Sequence, residues 1–385
     1  MRILYIAEDI ELPGFHGGST HVQETINSLN ELGHNVFVIN KKGKNQKNIE
    51  TKKQGKKRIT YYHIKLPKSG LLKNIFLFVN LGRISRKIIK DKKIDFVWQR
   101  NRIFGNQGVI EGRKAGIKTI IELNEPIETS EDNLLFFIIK KWFIHCTKYA
   151  DKVFGQHECE LRWIKPKKKR EIFTNGSNPK NFYPTKKKRG LAKKLGLKGR
   201  TFFYSGSFQD WHCLKNTIKA FKKVNQTDTT TRFLLAGEGP KKKGLEEFIK
   251  REKIKGVTFL GNIPLEELAF YINISDVCIA LFDRSFSTIK KYDYFYSPVK
   301  VFDYKACAKP IIASSIGNLK TLVKNNIHGF LVDESNENEI EKAMKYLINN
   351  KKKAKDMGNK NLKEVIEKYN WKKITEQIIK ITLDK

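Results

Sequence analysis

Ser297-Pro-Val-Lys-Val-Phe-Asp-Tyr-Lys-Ala-Cys-Ala-Lys-Pro-Ile-Ile-Ala-Ser314 is the stretch on which the reading of this chain turns. A small-residue loop leads into a helix of roughly ten residues; Ala308-Lys309-Pro310 ends it and an apolar strand follows. The first turn of a helix leaves backbone N–H groups without intrahelical partners, and the helix dipole adds positive charge there, so such a loop favours a phosphate. Ser297 and Val299 supply amides of this kind, whereas Pro298 between them has none. Lys300 adds a cation in the same loop. Asp303, two turns into the helix, is close enough to reach a sugar hydroxyl beside the phosphates. The segment reads as a cradle for a nucleotide diphosphate that carries its own ribose contact.

Working outward, the second half of the chain alternates strand and helix. Strands are expected at 201–205, 232–236, 257–260, 277–281, 310–313 and 329–332, with helices at 214–224, 244–252 and 264–274. The first half follows the same scheme, with strands at 2–7, 36–39, 60–64, 96–99, 119–123 and 152–155 and an amphipathic helix at 20–32. Neither half has the G-x-G-x-x-G dinucleotide fingerprint, so the pattern is that of two Rossmann-like α/β domains. The turn-rich run Asn175-Gly-Ser-Asn-Pro179, then Pro184 and the basic run 186–189, marks the boundary. The expected division is 1–180, 181–360 and a C-terminal segment 361–385. Helices are expected at 338–350 and 357–383, and the last carries an apolar stripe of Trp371, Ile374, Ile378 and Ile379 that needs a partner.

Bulk properties narrow the class. At 385 residues the chain exceeds one ordinary core and calls for two domains. No apolar run reaches the ~18 residues of a membrane span. Residues 1–7 are too short an apolar run for a signal peptide and read as a first strand. Five scattered cysteines without a Cys-x-x-Cys pair support neither a disulfide framework nor a zinc site, and a reducing cytoplasm fits them. The formal charge is +36, yet only 14 of 76 basic residues are arginine, the better reader of phosphates and bases. A Lys-, Asn- and Ile-rich chain of this kind reflects A/T-rich codons; the sharper reading is attraction to an anionic membrane surface. The basic runs 41–57, 165–170, 186–189, 241–243 and 351–355 lack the aromatic interleaving of a nucleic-acid platform. Two stretches, 70–93 and 134–148, combine apolar faces with basic rims, which suits either core helices or peripheral membrane contact.

Several motifs, in order, resemble the retaining glycosyltransferases of family 4, a group 1 family with the GT-B fold. They are His16-Gly-Gly-Ser-Thr20, Phe173-Thr-Asn-Gly-Ser-Asn-Pro-Lys-Asn-Phe182, Tyr204-Ser-Gly-Ser-Phe-Gln-Asp-Trp-His-Cys-Leu-Lys215, Phe233-Leu-Leu-Ala-Gly-Glu-Gly-Pro240 and Val257-Thr-Phe-Leu-Gly-Asn-Ile-Pro264. The resemblance covers nearly the whole chain. It implies two Rossmann-like domains across a cleft, an acceptor on the first, a nucleotide-sugar donor on the second, and a final helix that crosses back to the first. It implies sugar transfer with retention, without a metal or other cofactor. Gly17 and Gly18 match the loop that meets the donor diphosphate. Gly206 matches the glycine turn, and Gly237 and Glu238 shape the neighbouring loop. Ile263 matches the position whose backbone pairs with the base. Ser297, Val299 and Asp303 complete the donor set.

The chain departs from the family pattern at four places. Ser207 stands where an Arg is usual and His212 where a Lys is usual, so Lys300 is the substitute cation for the departing diphosphate. His212 would help only when protonated. The first of two family carboxylates is replaced by Phe295, with Asp293 nearby. Asn124 and Glu125, in Glu122-Leu-Asn-Glu-Pro126 at a strand's carboxyl end, stand where a His is frequent and are taken as contacts to the sugar and acceptor. The expected function is glycosyl transfer to a glycan or lipid-linked acceptor in cell-surface polysaccharide or lipopolysaccharide assembly, in the cytoplasm or at the inner face of the membrane. A nucleotide-sugar 2-epimerase and a non-catalytic basic binding protein are the alternatives.

Overall fold

The computed structural model describes residues 1–14, 17–54, 57–67, 70–101, 106–124, 134–185 and 189–384. The chain forms two compact units. The first comprises Met1–Gly14, Gly18–Thr174 and Trp371–Lys385; the second is built on Asn175–Asn370. The crossing into the second unit thus follows Thr174, a few residues before the expected boundary. The helix Lys351–Glu367 stays with the second unit, and only the last helix, Trp371–Leu383, belongs to the first. The expected single helix over 357–383 is two helices. Ser177 N–H donates to the Tyr369 carbonyl at 2.9 Å and Ser177 pairs with Asn370, so the two chain crossings run side by side.

The first unit holds eight strands: β1 (Arg2–Glu11), β2 (Asn35–Lys41), β3 (Ile49–Gln54), β4 (Lys57–Ile64), β5 (Phe96–Arg100), β6 (Lys118–Glu122), β7 (Lys152–Gly155) and β8 (Arg170–Ile172). Their order is β3-β4-β2-β1-β5-β6-β7-β8, parallel except for β3 against β4. The central strand explains itself. Ile3, Tyr5 and Ala7 point to one face and Leu4 and Ile6 to the other, and all are fully buried. The first face packs with Val22, Ile26 and Leu29 of the helix Gly17–Glu31 and with Ile374, Ile378 and Ile379 of the last helix. The stripe on the last helix therefore finds its partner in this core, and Trp371 lies edge-on against His21 at 5.1 Å. The second face takes Leu77, Leu81, Ile88 and Ile89 of the helix Gly70–Lys92. Leu81 and, in part, Phe76 of the apolar stripe at 70–93 are thus core, whereas Val79 is 48% exposed. Phe143 of the helix Leu134–Thr147 is likewise buried, whereas Ile138 is 56% exposed.

The second unit has six parallel strands: β9 (Thr201–Ser205), β10 (Arg232–Ala236), β11 (Val257–Gly261), β12 (Val277–Ala280), β13 (Ile311–Ser314) and β14 (Gly329–Val332), in the order β11-β10-β9-β12-β13-β14. Successive residues of β9 again split between two cores. Phe202 and Tyr204 meet Ile218, Phe221 and Val224 of the helix Leu214–Thr227. Phe203 meets Val301 and Tyr304 of the helix Val299–Ala306 on the other side. The strand order reverses between β9 and β12, and in open α/β sheets such a reversal opens a crevice at the carboxyl ends of the strands. In the first unit the reversal falls between β1 and β5.

Candidate functional site

Three neighbouring strands of the second sheet each end in a glycine with positive φ: Gly206 after β9 (+142°), Gly237 after β10 (+134°) and Gly261 closing β11 (+68°). Such angles strain any residue with a Cβ. Gly206 N–H donates to the Ala236 carbonyl at 2.9 Å, and Gly237 N–H to that of Gly261 at 2.7 Å. A Cβ on Gly237 would lie 2.0 Å from the Gly206 carbonyl oxygen, so the two loops touch backbone to backbone. Phe208 N–H donates to the Glu238 carbonyl at 2.9 Å and continues the contact. Ser207 closes the turn with its own carbonyl, which accepts the Tyr204 hydroxyl at 2.9 Å. Ile263, just beyond β11, is partly buried against the core.

Lys300 enters this crevice from the helix Val299–Ala306. Its ammonium lies 4.1 Å from the Tyr204 ring centre and 5.3 Å from that of Phe282. Those rings belong to β9 and to the segment after β12, so Lys300 stands at the strand-order reversal. An added Cβ on Gly206 would come within 2.6 Å of its Nζ. Among the described residues no carboxylate pairs with it. Burial holds the ammonium down to about 7, because aromatic faces replace only part of its lost hydration. His212 Nε2 is 3.5 Å from Lys300 Nζ. Burial first, and then the Lys300 charge, pushes the His212 imidazole well below its ordinary value. His212 therefore enters the crevice as a neutral ring and not as a second cation, and its Nδ1 is buried without a hydrogen bond.

The helix Val299–Ala306 starts at Pro298 without a side-chain cap. The amide of Val301 is spent on the Pro298 carbonyl at 3.0 Å. Those of Val299 and Lys300 have no partner among the described residues, as the first turn of a helix dictates. Ser297 is buried, and its hydroxyl accepts Asn175 N–H at 3.1 Å while its carbonyl accepts the Asn175 side-chain amide. Asp303 is 4% exposed and accepts the Ser177 hydroxyl at 2.7 Å. The turn at 175–178 is therefore bolted to this helix at two points, which the spacing of more than a hundred residues conceals in the sequence. Asp303→Ala leaves the buried Ser177 hydroxyl without its acceptor and is expected to cost about 1–3 kcal/mol, read by urea unfolding. Phe295 is fully buried, its ring 4.0 Å from that of Tyr296. Asp293 caps the preceding helix in the left-handed region, φ +60°, and accepts Tyr294 N–H at 2.7 Å.

Gly17 and Gly18 open the helix Gly17–Glu31, which from Gly18 onward belongs to the first unit. A Cβ on Gly17 would meet nothing within 4 Å, so packing alone does not demand that glycine. Asn124 follows β6 and its amide reaches the Glu122 carbonyl at 3.4 Å. Glu125 and His16 lie outside the described residues. Sequence reasoning did not single out the charged group beside Asn124. Glu122 is fully buried and its carboxylate meets His21 Nε2 at 2.8 Å, Trp98 Nε1 at 2.9 Å and Arg100 Nε at 3.7 Å. Burial alone would raise this carboxyl; His21, Arg100 and Trp98 outweigh it and hold it below the ordinary value. The signal in the sequence was slight: one arginine and one glutamate closing two short strands.

Two doubly wound parallel sheets, with glycine-ended strands and a helix mouth gathered on the second, define the GT-B class of glycosyltransferase folds. Residues 187–364 match the family model described as glycosyl transferases group 1. An uncharacterized glycosyltransferase of Methanocaldococcus jannaschii is 23% identical over 381 residues, 97% of this chain and 95% of that protein. The structure resembles sucrose-phosphate synthase of Thermosynechococcus elongatus with a TM-score of 0.74 at 19% identity, over 99% of this chain and 98% of the other. It also resembles Anabaena HepE, solved in complex with UDP, with a TM-score of 0.70 at 14% identity over 99% of both chains. No helix among the described residues is long and apolar enough to cross a membrane.

Proposed function

We propose that the protein is a retaining, metal-independent hexosyltransferase that binds a nucleotide-diphosphate sugar on its second unit and passes the sugar to a hydroxyl of a glycan or lipid-linked acceptor. The observation that carries this reading is the Lys300 ammonium, which lies at the strand-order reversal without a carboxylate partner among the described residues. An ammonium so placed loses hydration and gains most when an anion arrives. The unspent amides of Val299 and Lys300 point the same way, since helix mouths bind phosphates. In transfer, the anomeric bond to the diphosphate breaks as a bond to the acceptor hydroxyl forms, and negative charge grows on the leaving group. A fixed cation beside it stabilises that charge without reorganisation. Gly206, Ser207, Gly237 and Ile263 would shape the donor seat, with Asp303 as the acidic group for the ribose. Gly17 and Gly18 are proposed for the donor diphosphate and Asn124 and Glu125 for the acceptor side, with retention and independence of a metal following from the likeness to family 4. Peripheral contact with anionic lipid would use exposed Ile138 and the half-exposed Trp163, whose ring carries Lys140 Nζ at 3.8 Å.

Thermal melting with UDP-, GDP- and ADP-sugars tests the donor reading. One nucleotide is expected to stabilise the protein by about 2.7 kcal/mol at a hundredfold excess over its Kd, and UDP comes first because HepE binds it. No shift with any nucleotide would refute the donor site. An epimerised sugar formed without acceptor would favour the 2-epimerase.

A further inference from the structure

Arg100 closes β5, next to the reversal between β1 and β5 where a ligand would meet the first sheet. Its register partner on β6 is Glu122. Oε2 of that carboxylate accepts Trp98 Nε1 at 2.9 Å, and its Oε1 faces His21 Nε2 at 2.8 Å as an ion-pair contact. Arg100 approaches it only through Nε, at 3.7 Å, which is attraction without a hydrogen bond. The side chain is 14% exposed, and its Nε is buried with no hydrogen-bond acceptor. A guanidinium carries five N–H donors and does not shed its proton in proteins. None of these donors finds an acceptor among the described residues. Glu122 thus holds the charge in place while the terminal fork remains unfilled among the described residues, and the Asn124 amide lies one strand away, past the end of β6. A largely desolvated cation in this state is costly until a bidentate oxyanion supplies the missing acceptors.

We infer that Arg100 anchors an oxyanion of the acceptor, a phosphoryl or carboxylate group, so that the acceptor is anionic. This rests on the glycosyltransferase reading above, but it concerns the first unit and not the donor seat. Glu122 is then a positioning residue that holds the guanidinium at the sheet edge.

Full-length protein is melted with inorganic phosphate and, separately, with malonate, with total ionic strength kept constant by sodium chloride. The wild type is expected to gain stability with one of them, and which one assigns the phosphoryl or the carboxylate class. Arg100→Ala and Arg100→Lys are each expected to weaken that response at least about tenfold. The lysine variant keeps the charge but not the fork, so it separates recognition from the general pull of a +36 chain. UDP should shift both variants as it shifts the wild type. A wild type that answers to neither anion, or an Arg100→Lys protein that answers like the wild type, overturns the inference. So does an Arg100→Lys protein that melts far below the wild type without ligand, because that marks a structural prop. If UDP fails on the wild type while the anion response still depends on Arg100, the donor reading falls and the oxyanion site stands.

Discussion

Gly237→Ala will weaken nucleotide binding on the order of a hundredfold, whereas Gly206→Ala will weaken it far less. Both glycines have positive φ, so each substitution carries backbone strain of about 1–3 kcal/mol. They differ in what the new methyl group meets. At Gly206 the nearest atom is Lys300 Nζ, 2.6 Å away, at the end of a flexible side chain that can withdraw. At Gly237 it is the Gly206 carbonyl oxygen, 2.0 Å away, and that carbonyl cannot withdraw freely. The amide of Gly206 is tied to Ala236, that of Gly237 to Gly261, and Phe208 to Glu238. Relief therefore means parting the two loops by about 1 Å or more, and a misplacement of that size costs on the order of a hundredfold in a positioned site. Isothermal titration with the nucleotide found by melting checks the prediction, with unliganded melting as the control for folding. Equal affinities in the two variants would show that the contact between the loops does not shape the donor seat.

What the sequence conceals follows from the same geometry. The central strands could be read because both faces of a parallel sheet are covered, which makes runs such as Ile3–Ala7 and Phe202–Tyr204 apolar throughout. β3 could not, because Ile-Glu-Thr-Lys-Lys-Gln has only two strand-favouring residues, Ile49 and Thr51, and no apolar face; it is an edge strand whose lysines discourage further pairing. The break between the helices Lys351–Glu367 and Trp371–Leu383 carries no glycine or proline, so the periodicity ran through it. The helix mouth at Val299 was legible as a local pattern, and Lys300 with it. Its company was expected only through the family resemblance, because Gly206 and His212 reach it through the sheet from about ninety positions away. Nor could the sequence show that His212 is desolvated beside a lysine, which is what makes it neutral. Arg100 was invisible for a related reason: an arginine at a strand end looks like ordinary surface until its partner carboxylate is seen to be spent elsewhere.

Lys300→Met is expected to lower the transfer rate by about a hundred- to a thousandfold, the usual loss when one preorganised group at a developing charge is removed. Methionine keeps the length and the apolar stem, so the aromatic seat of Tyr204 and Phe282 stays filled and the fold should melt near the wild-type temperature. The stronger discriminator is pH. Burial holds the free ammonium down to about 7, and a bound diphosphate raises it, because an opposite charge favours the charged form. Donor binding therefore takes up a proton above that pH. The sign follows. Below about 7 the charge is already present and affinity is flat with respect to Lys300; above it, affinity falls by up to about tenfold per pH unit until the ammonium of the complex itself titrates. His212 adds nothing to this slope, since burial and the neighbouring ammonium keep it neutral throughout the range. Lys300→Met should bind the nucleotide weakly and without the slope. Lys300→Arg, which cannot lose its proton, should keep part of the affinity and also lose the slope. Nucleotide affinity measured from pH 6 to 9 on the three proteins decides the matter: a slope that persists in the methionine variant would mean that another group senses the proton, and that Lys300 is not the cation facing the diphosphate.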